Sequence, residues 1–460
     1  MSDYETFIAS KSATRIFDGI EARDLNPSLF PHQRDLTRWA LRKGRAAVFA
    51  ATGLGKTIIE LEWAKQVAAR GRVLMLAPLA VAQQTVAEGE RFGYSVAYAR
   101  HDTGERIIIT NYEMLHAFDT SQFIGVVLDE SSILKALSSK TRAALTQAFR
   151  DTPYRLAATA TPAPNDYTEL GNHAEFLGIT THSEMLSEYF VHDGGSTQDW
   201  RLKGHAVTAF WTWVSSWGAL VNTPADLGHD DTAYRLPALR SHDVVLPVDH
   251  KTAHAAGFLF AEPAATLSDQ RAIRRATLDA RAAKAAEIAN SDNTPCIVWC
   301  ELNDESKAVH ALIPDSVEVS GADSLDEKIA KLHMFASGGV RVMVTKSSVC
   351  GFGLNLQHCS RMVFVGSSHS YEGVYQSIRR CWRFGQTKPV DVYTVRAETE
   401  QMVVDNYRRK EADAARMAAE MSAVVGDMVR AEVCGATGRE FNEYAPAVTM
   451  VLPSFLKEES

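Results

Sequence analysis

The chain has 460 residues, 46% of them hydrophobic and 23% charged, with a formal net charge of −8 at neutral pH. That length holds two or three domains with sizeable cores, and the acidic balance excludes indiscriminate electrostatic coating of nucleic acid while leaving room for a local basic channel. The opening MSDYETFIAS has no basic stretch leading into an apolar core, and no apolar run nears the roughly 20 residues that span a bilayer, so a cytoplasmic protein is expected.

The first strong signal in chain order is AAVFAATGLGKT, Ala46 to Thr57. An apolar strand runs into a glycine-rich turn, and a helical pattern from Ile58 to Val67 follows it. Such a turn aims unpaired backbone amides and a helix dipole at anionic oxygens. Thr52, Gly53 and Gly55 would wrap a triphosphate, Lys56 would reach its β- and γ-phosphates, and the Thr57 hydroxyl would ligate Mg²⁺. Ala50 stands where the general pattern has its first glycine.

From Ala46 to about Leu177 short apolar strands alternate with helical stretches, the strands being Val73 to Ala77, Arg106 to Thr110, Ile124 to Leu128 and Tyr154 to Ala158. Asp129 and Glu130 close the third of these, where parallel α/β sheets display functional groups. Asp129 is expected to hold Mg²⁺, and Glu130 to orient and deprotonate the water that attacks the γ-phosphate. Thr159 and Thr161, in TATP, supply hydroxyls where the next strand leaves the sheet. They would couple the acidic pair to a second lobe; a plain proline-terminated turn is the alternative.

The stretch from about Gly178 to Asn290 reads as a helical, irregular insert. Between Asp199 and Val221 it carries four of the chain's eight tryptophans, and Phe210, Trp211, Val214, Trp217 and Val221 recur at the spacing of a buried helix face. Trp213 falls off that face beside Arg201, Lys203 and His205, so packing competes with a surface for exposed bases. Arg271, Arg274, Arg275 and Arg281 pose a similar choice between a solvated helix and a basic track.

A second alternating series begins at Pro295 with CIVWC and includes Ser316 to Ser320, Val340 to Thr345, Met362 to Val365 and Val390 to Val395. Within it Gln376, Arg380 and Arg383 share one helical face. The arginines, permanently charged donor forks, suit a transferring phosphoryl group. From Glu400 the chain is rich in Ala, Met, Glu and Arg and reads as a helical extension to residue 460. The six cysteines form no CxxC pair, which predicts reduced thiols rather than zinc or disulfides.

Taken in order, LFPHQRDLTRWAL, ATGLGKT, LDES, TATP, GFGLNL and QSIRRCWRFGQTKPVDVY resemble the superfamily-two helicase motor and, through Arg-Phe-Gly-Gln, its Swi/Snf-type double-stranded DNA translocases. The resemblance covers most of Leu29 to Val395. It implies an α/β fold of two RecA-like lobes, 1–178 and 291–400, separated by the insert 179–290 and followed by the extension 401–460. It further implies ATP and Mg²⁺ at the lobe interface, Gln33 at the adenine, Gly353 on the nucleotide side and Asn355 as a coupling residue. Pro78, Thr110, Asn111, Ser320, Gly321, Thr345 and Lys346 would approach the phosphate backbone of nucleic acid, with duplex DNA favoured. Ser131 and Ser132 stand where many relatives carry Ala-His, and SSHSYEGVY lacks the Trp-Asn-Pro signature. Those departures resemble the compact form common in phage and prophage genomes. A phage origin would put the protein in the bacterial host's cytoplasm, with a replication protein or nuclease as a possible partner. Two other functions stay open: a strand-separating DNA or RNA helicase, and a nucleotide-switched module that recruits a partner.

Overall fold

The computed structural model describes residues 19–135, 140–163, 166–192, 200–248, 267–350, 356–368 and 370–435. It contains two parallel sheets. The first is built from β1 (Arg45–Ala50), β2 (Val73–Ala77), β3 (Ala97–Tyr98), β4 (Ile107–Asn111), β5 (Gly125–Asp129) and β6 (Tyr154–Ala158). After a short antiparallel hairpin, β7 (Phe190–His192) and β8 (Trp200–Leu202), it gains a seventh strand, β9 (Gly218–Val221), in the order β3-β4-β2-β5-β6-β1-β9. The second comprises β10 (Leu239–Leu246), β11 (Cys296–Cys300), β12 (Ser316–Val319), β13 (Val342–Lys346), β14 (Arg361–Val365) and β15 (Val390–Ala397), in the order β10-β15-β14-β11-β13-β12. Two RecA-like lobes of this kind are what the sequence predicts, with strand ends agreeing to within one or two residues.

The strands form because parallel sheets are covered on both faces and so read as nearly continuous apolar runs. In β11, Cys296, Val298 and Cys300 enter one core while Ile297 and Trp299 enter another on the opposite face. Helix Leu278–Ala289 lays Ala282, Ala285, Ala286 and Ala289 on the first of these.

The separate insert expected over 179–290 is not what forms. β9 pairs with β1, Ala47 opposite Gly218, and β10 pairs with β15 along eight residues, so the stretch supplies an edge strand to each lobe. Periodicity alone hid them: β9 is only four residues long and β10 alternates between half-buried and exposed. The tryptophan helix Val207–Trp217 packs into the first lobe as its spacing predicts. Trp213 stacks on Tyr189 at 5.4 Å, and Lys203 Nζ donates to the carbonyls of Ser187 and Glu188, which favours packing over a base-binding surface.

The last helix, Gln401–Cys434, follows the second lobe yet buries Val429 and Val433 in the core of the first, where Glu432 pairs with Lys43 at 2.8 Å. At 34 residues it spans about 50 Å. Among the described residues no helix is long and apolar enough to cross a membrane.

Candidate ATP site between the lobes

The loop after β1 and the acids after β5 lie at neighbouring carboxyl ends, because β6 sits between those two strands with Ala158 opposite both Val48 and Asp129. The glycine turn takes the shape the motif requires. Gly55 has φ +79°, and a side chain there would collide with the Gln33 amide, 2.3 Å from the position of its first carbon. Gly53, at φ +99°, lets the backbone of Phe384 from the second lobe approach, its amide nitrogen 3.1 Å from that position.

A cleft of about 480 Å³ opens here. Its wall brings together Gln33, Thr52, Gly53, Gly55, Lys56, Thr57, Asp129 and Glu130 from the first lobe with Arg380 and Arg383 from the second. Lys56 Nζ donates to the carbonyl of Ala50 at 2.9 Å. Burial lowers its pKa while Glu130, Asp129 and Glu60 pull the other way. Burial and the adjacent Glu130 push Asp129 up to about 7. Arg383 is lowered to about 10 by burial and by Arg380, which leaves it charged at neutral pH. Its Nε is buried and has no hydrogen-bond partner. A cation so placed fits a polyanion entering the cleft, and the oxygen donors of Thr57 and Asp129 fit a hard divalent cation completed by phosphate oxygens.

Glu130 takes a left-handed backbone conformation, φ +53°, one of two such non-glycine residues described. Its amide donates to Asp129 Oδ1 at 2.9 Å, and its carboxylate accepts from Thr159 Oγ1 at 3.3 Å. Thr159 Oγ1 also accepts from the amide of Thr161, whose own hydroxyl is buried and unpartnered.

The two family models that match the chain cover both walls of this cleft. Residues 26–164 match the type III restriction enzyme, res subunit, and residues 280–385 match the helicase conserved C-terminal domain. The chain carries the two domains of a helicase-type ATPase. A solved chain described as the Sulfolobus solfataricus SWI2/SNF2 ATPase core in complex with dsDNA is similar at 18% identity and a TM-score of 0.40, covering 86% of this chain and 97% of that one. No curated protein matches.

Several expected residues stand elsewhere in this ATPase. Gln376 is absent from the cleft wall and donates to Glu372 at 3.3 Å. Glu372 in turn pairs across the lobes with Lys135, five residues beyond Glu130. Gln33 is buried, its amide spent on the carbonyl of Leu54 and the amide of Phe30, so it braces the phosphate loop as well as lining the cleft. Thr110 and Thr345 are fully buried, and Thr345 donates to the carbonyl of Val319. Their hydroxyls are therefore turned into the core, because each is the penultimate residue of a strand paired on both sides. Asn111 is also buried and bonds Glu113. Pro78, Ser320, Gly321 and Lys346 stay at least partly exposed. Gly353 and Asn355 lie outside the described residues.

Four residues at or beside the cleft were not among the expected ones. Phe30, Tyr234 and Phe384 line its Gln33 end, Tyr234 and Phe384 with ring centres 4.6 Å apart. Phe30 and Phe384 lie inside sequence motifs, but the cluster with Tyr234 joins three distant segments, so no local pattern announces it. Glu60 is completely buried in the helix after the glycine turn, with its carboxyl group beside that of Asp129. Burial and Asp129 raise its pKa well above the carboxylate range. The signal was legible, since a glutamate one turn beyond Lys56 shares its helical face.

Proposed function

We propose that this ATPase is a motor that translocates on double-stranded DNA, with ATP hydrolysis coupled to closure of its lobes. The observation that carries the reading is the cleft in which Lys56, Asp129 and Glu130 of one lobe face Arg380 and Arg383 of the other. The triphosphate would lie along the glycine turn with its base among Phe30, Tyr234 and Phe384. Mg²⁺, held by Thr57 and Asp129, would neutralise phosphate charge. Glu130 would align the attacking water and take its proton, while Lys56 and the arginines stabilise charge on the transferring group.

The duplex track is supported by the Arg-Phe-Gly-Gln ending of the arginine segment, and by the pairing of candidate contact loops at sheet edges. Ala77 lies opposite Asn111 where β2 and β4 end, and Val319 opposite Thr345 where β12 and β13 end. Exposed Gly321 would meet phosphates through its amide, partly exposed Ser320 through its hydroxyl and Lys346 through its charge, with Pro78 giving only a packing surface, a sequence-independent mode.

ATPase rates measured in parallel with duplex DNA, single-stranded DNA and RNA test the reading. Duplex is expected to stimulate most, and Glu130→Gln to lower turnover by roughly 10²- to 10⁴-fold with ATP binding retained. Stimulation by single strands alone would make the protein an unwinding helicase. Turnover indifferent to all three, with ATP-dependent capture of a protein partner, would make it a switch.

A further inference from the structure

The hydroxyl of Tyr112 donates a 2.6 Å hydrogen bond to the backbone carbonyl of Asp129. Tyr112 is the first residue after β4 and is 8% exposed. β4 and β5 are not neighbours, because β2 lies between them, so the ring reaches past the end of one strand to grip the last residue of another. The carbonyl it holds belongs to the peptide that enters Glu130, the residue at φ +53°. On the other side of that peptide, the Glu130 amide is tied to Asp129 Oδ1. Both polar atoms of the strained link are thus fixed. A left-handed non-glycine residue costs on the order of 1–3 kcal/mol and persists only where its surroundings over-determine it.

We infer that Tyr112 is a positioning residue for ATP hydrolysis: it locks the Asp129–Glu130 peptide so that the Glu130 carboxylate is held at the cleft, and it ties that geometry to the end of β4. The inference rests on the proposed role of Glu130 and deepens it. Because Tyr112 directly follows Asn111 at the sheet edge assigned to the track, a load on that edge reaches the base through one side chain and one hydrogen bond. This is a route from nucleic acid to chemistry that does not pass through the second lobe. Without the phenol, the peptide regains freedom to turn toward ordinary backbone angles and the carboxylate leaves its aligned position.

The test is a double-mutant cycle on the full-length protein, read by single-turnover ATP hydrolysis with and without duplex DNA. Tyr112→Phe keeps the ring and removes only the hydroxyl. It is expected to lower the hydrolysis rate about tenfold, to leave the ATP dissociation constant within about twofold, and to reduce the ratio of DNA-stimulated to basal rate. In a Glu130→Gln background the same substitution is expected to change the residual rate less than twofold, since a residue acting through Glu130 has nothing left to position. Equal losses in both backgrounds would reduce Tyr112 to a structural residue, and an unchanged rate in the wild-type background would also overturn the inference. If Glu130→Gln itself turned over normally, the assignment of Glu130 would fall first, which separates the two failures.

Discussion

The second lobe buries two sets of arginines that look alike in sequence and live in opposite surroundings. Arg274 and Arg281 converge on Glu305: Arg274 Nε at 2.8 Å and Arg281 Nη1 at 2.7 Å from its Oε1, with further bonds from Arg274 to the carbonyls of Val365 and Ser367. Arg281 is completely buried, so neither the solvated helix nor the basic track weighed for this stretch describes it, although Arg275 is exposed. Arg383 makes no ion pair among the described residues; the like charge of Arg380 lowers its pKa while Glu88 pulls the other way. One set is stabilised by carboxylates that the fold supplies. Arg383 instead faces a cleft that an anion from outside can enter. A buried cation reports structure or function according to who provides its counter-charge.

The largest effect that would sharpen this contrast is on turnover. Arg383→Ala is expected to cut steady-state ATP hydrolysis by roughly 10³-fold or more while the melting temperature stays close to that of the parent, and Arg383→Lys should not restore the rate because a point charge lacks the planar fork. A melting temperature that fell with the rate would erase the distinction between the two sets. The mirror experiment follows. Arg281→Ala is expected to lower the unfolding free energy by about 3–5 kcal/mol in urea titrations, since Glu305 would keep a buried charge with half its compensation, yet to leave the rate per folded molecule unchanged.

His173 in the first lobe answers burial in a third way, by staying neutral. It is fully buried against Ser131, its Nε2 3.1 Å from the hydroxyl, and burial lowers its pKa to about 4 from 6.5. The folded state therefore binds this proton less readily than the unfolded chain. Its contribution is complete above pH 6.5 and is lost as pH falls toward 4, by up to about 3 kcal/mol. Unfolding measured at pH 7 and pH 4.5 should show a smaller loss for His173→Gln than for the parent; equal losses would mean that His173 is not buried in the neutral form.

Much of this was legible because chemistry at strand ends is local in sequence. Gly53 to Thr57, Asp129 with Glu130, and Arg380 with Arg383 each sit in one short segment, and sheet order then assembles them. Residues whose role depends on distant partners were not legible. Nothing near Arg274 signals that Glu305 and the carbonyl of Val365 await it, and nothing near Tyr112 signals that its hydroxyl will hold Asp129. Thr110 and Thr345 differ in the opposite sense: they lie near strand ends as expected, but period-two alternation turns those two hydroxyls into the core. The edge strands β9 and β10 escaped because a short or one-sided strand lacks the apolar run of the central ones.

The central claim is that one triphosphate is gripped by both lobes at once. A structure of the full-length protein with ADP, aluminium fluoride and Mg²⁺ tests it most directly. The expected result is a transition-state mimic in contact with Lys56 from one side and Arg383 from the other, with Glu130 beside the attacking position. Nucleotide held by the first lobe alone, with Arg383 bonded elsewhere in the second, would contradict it.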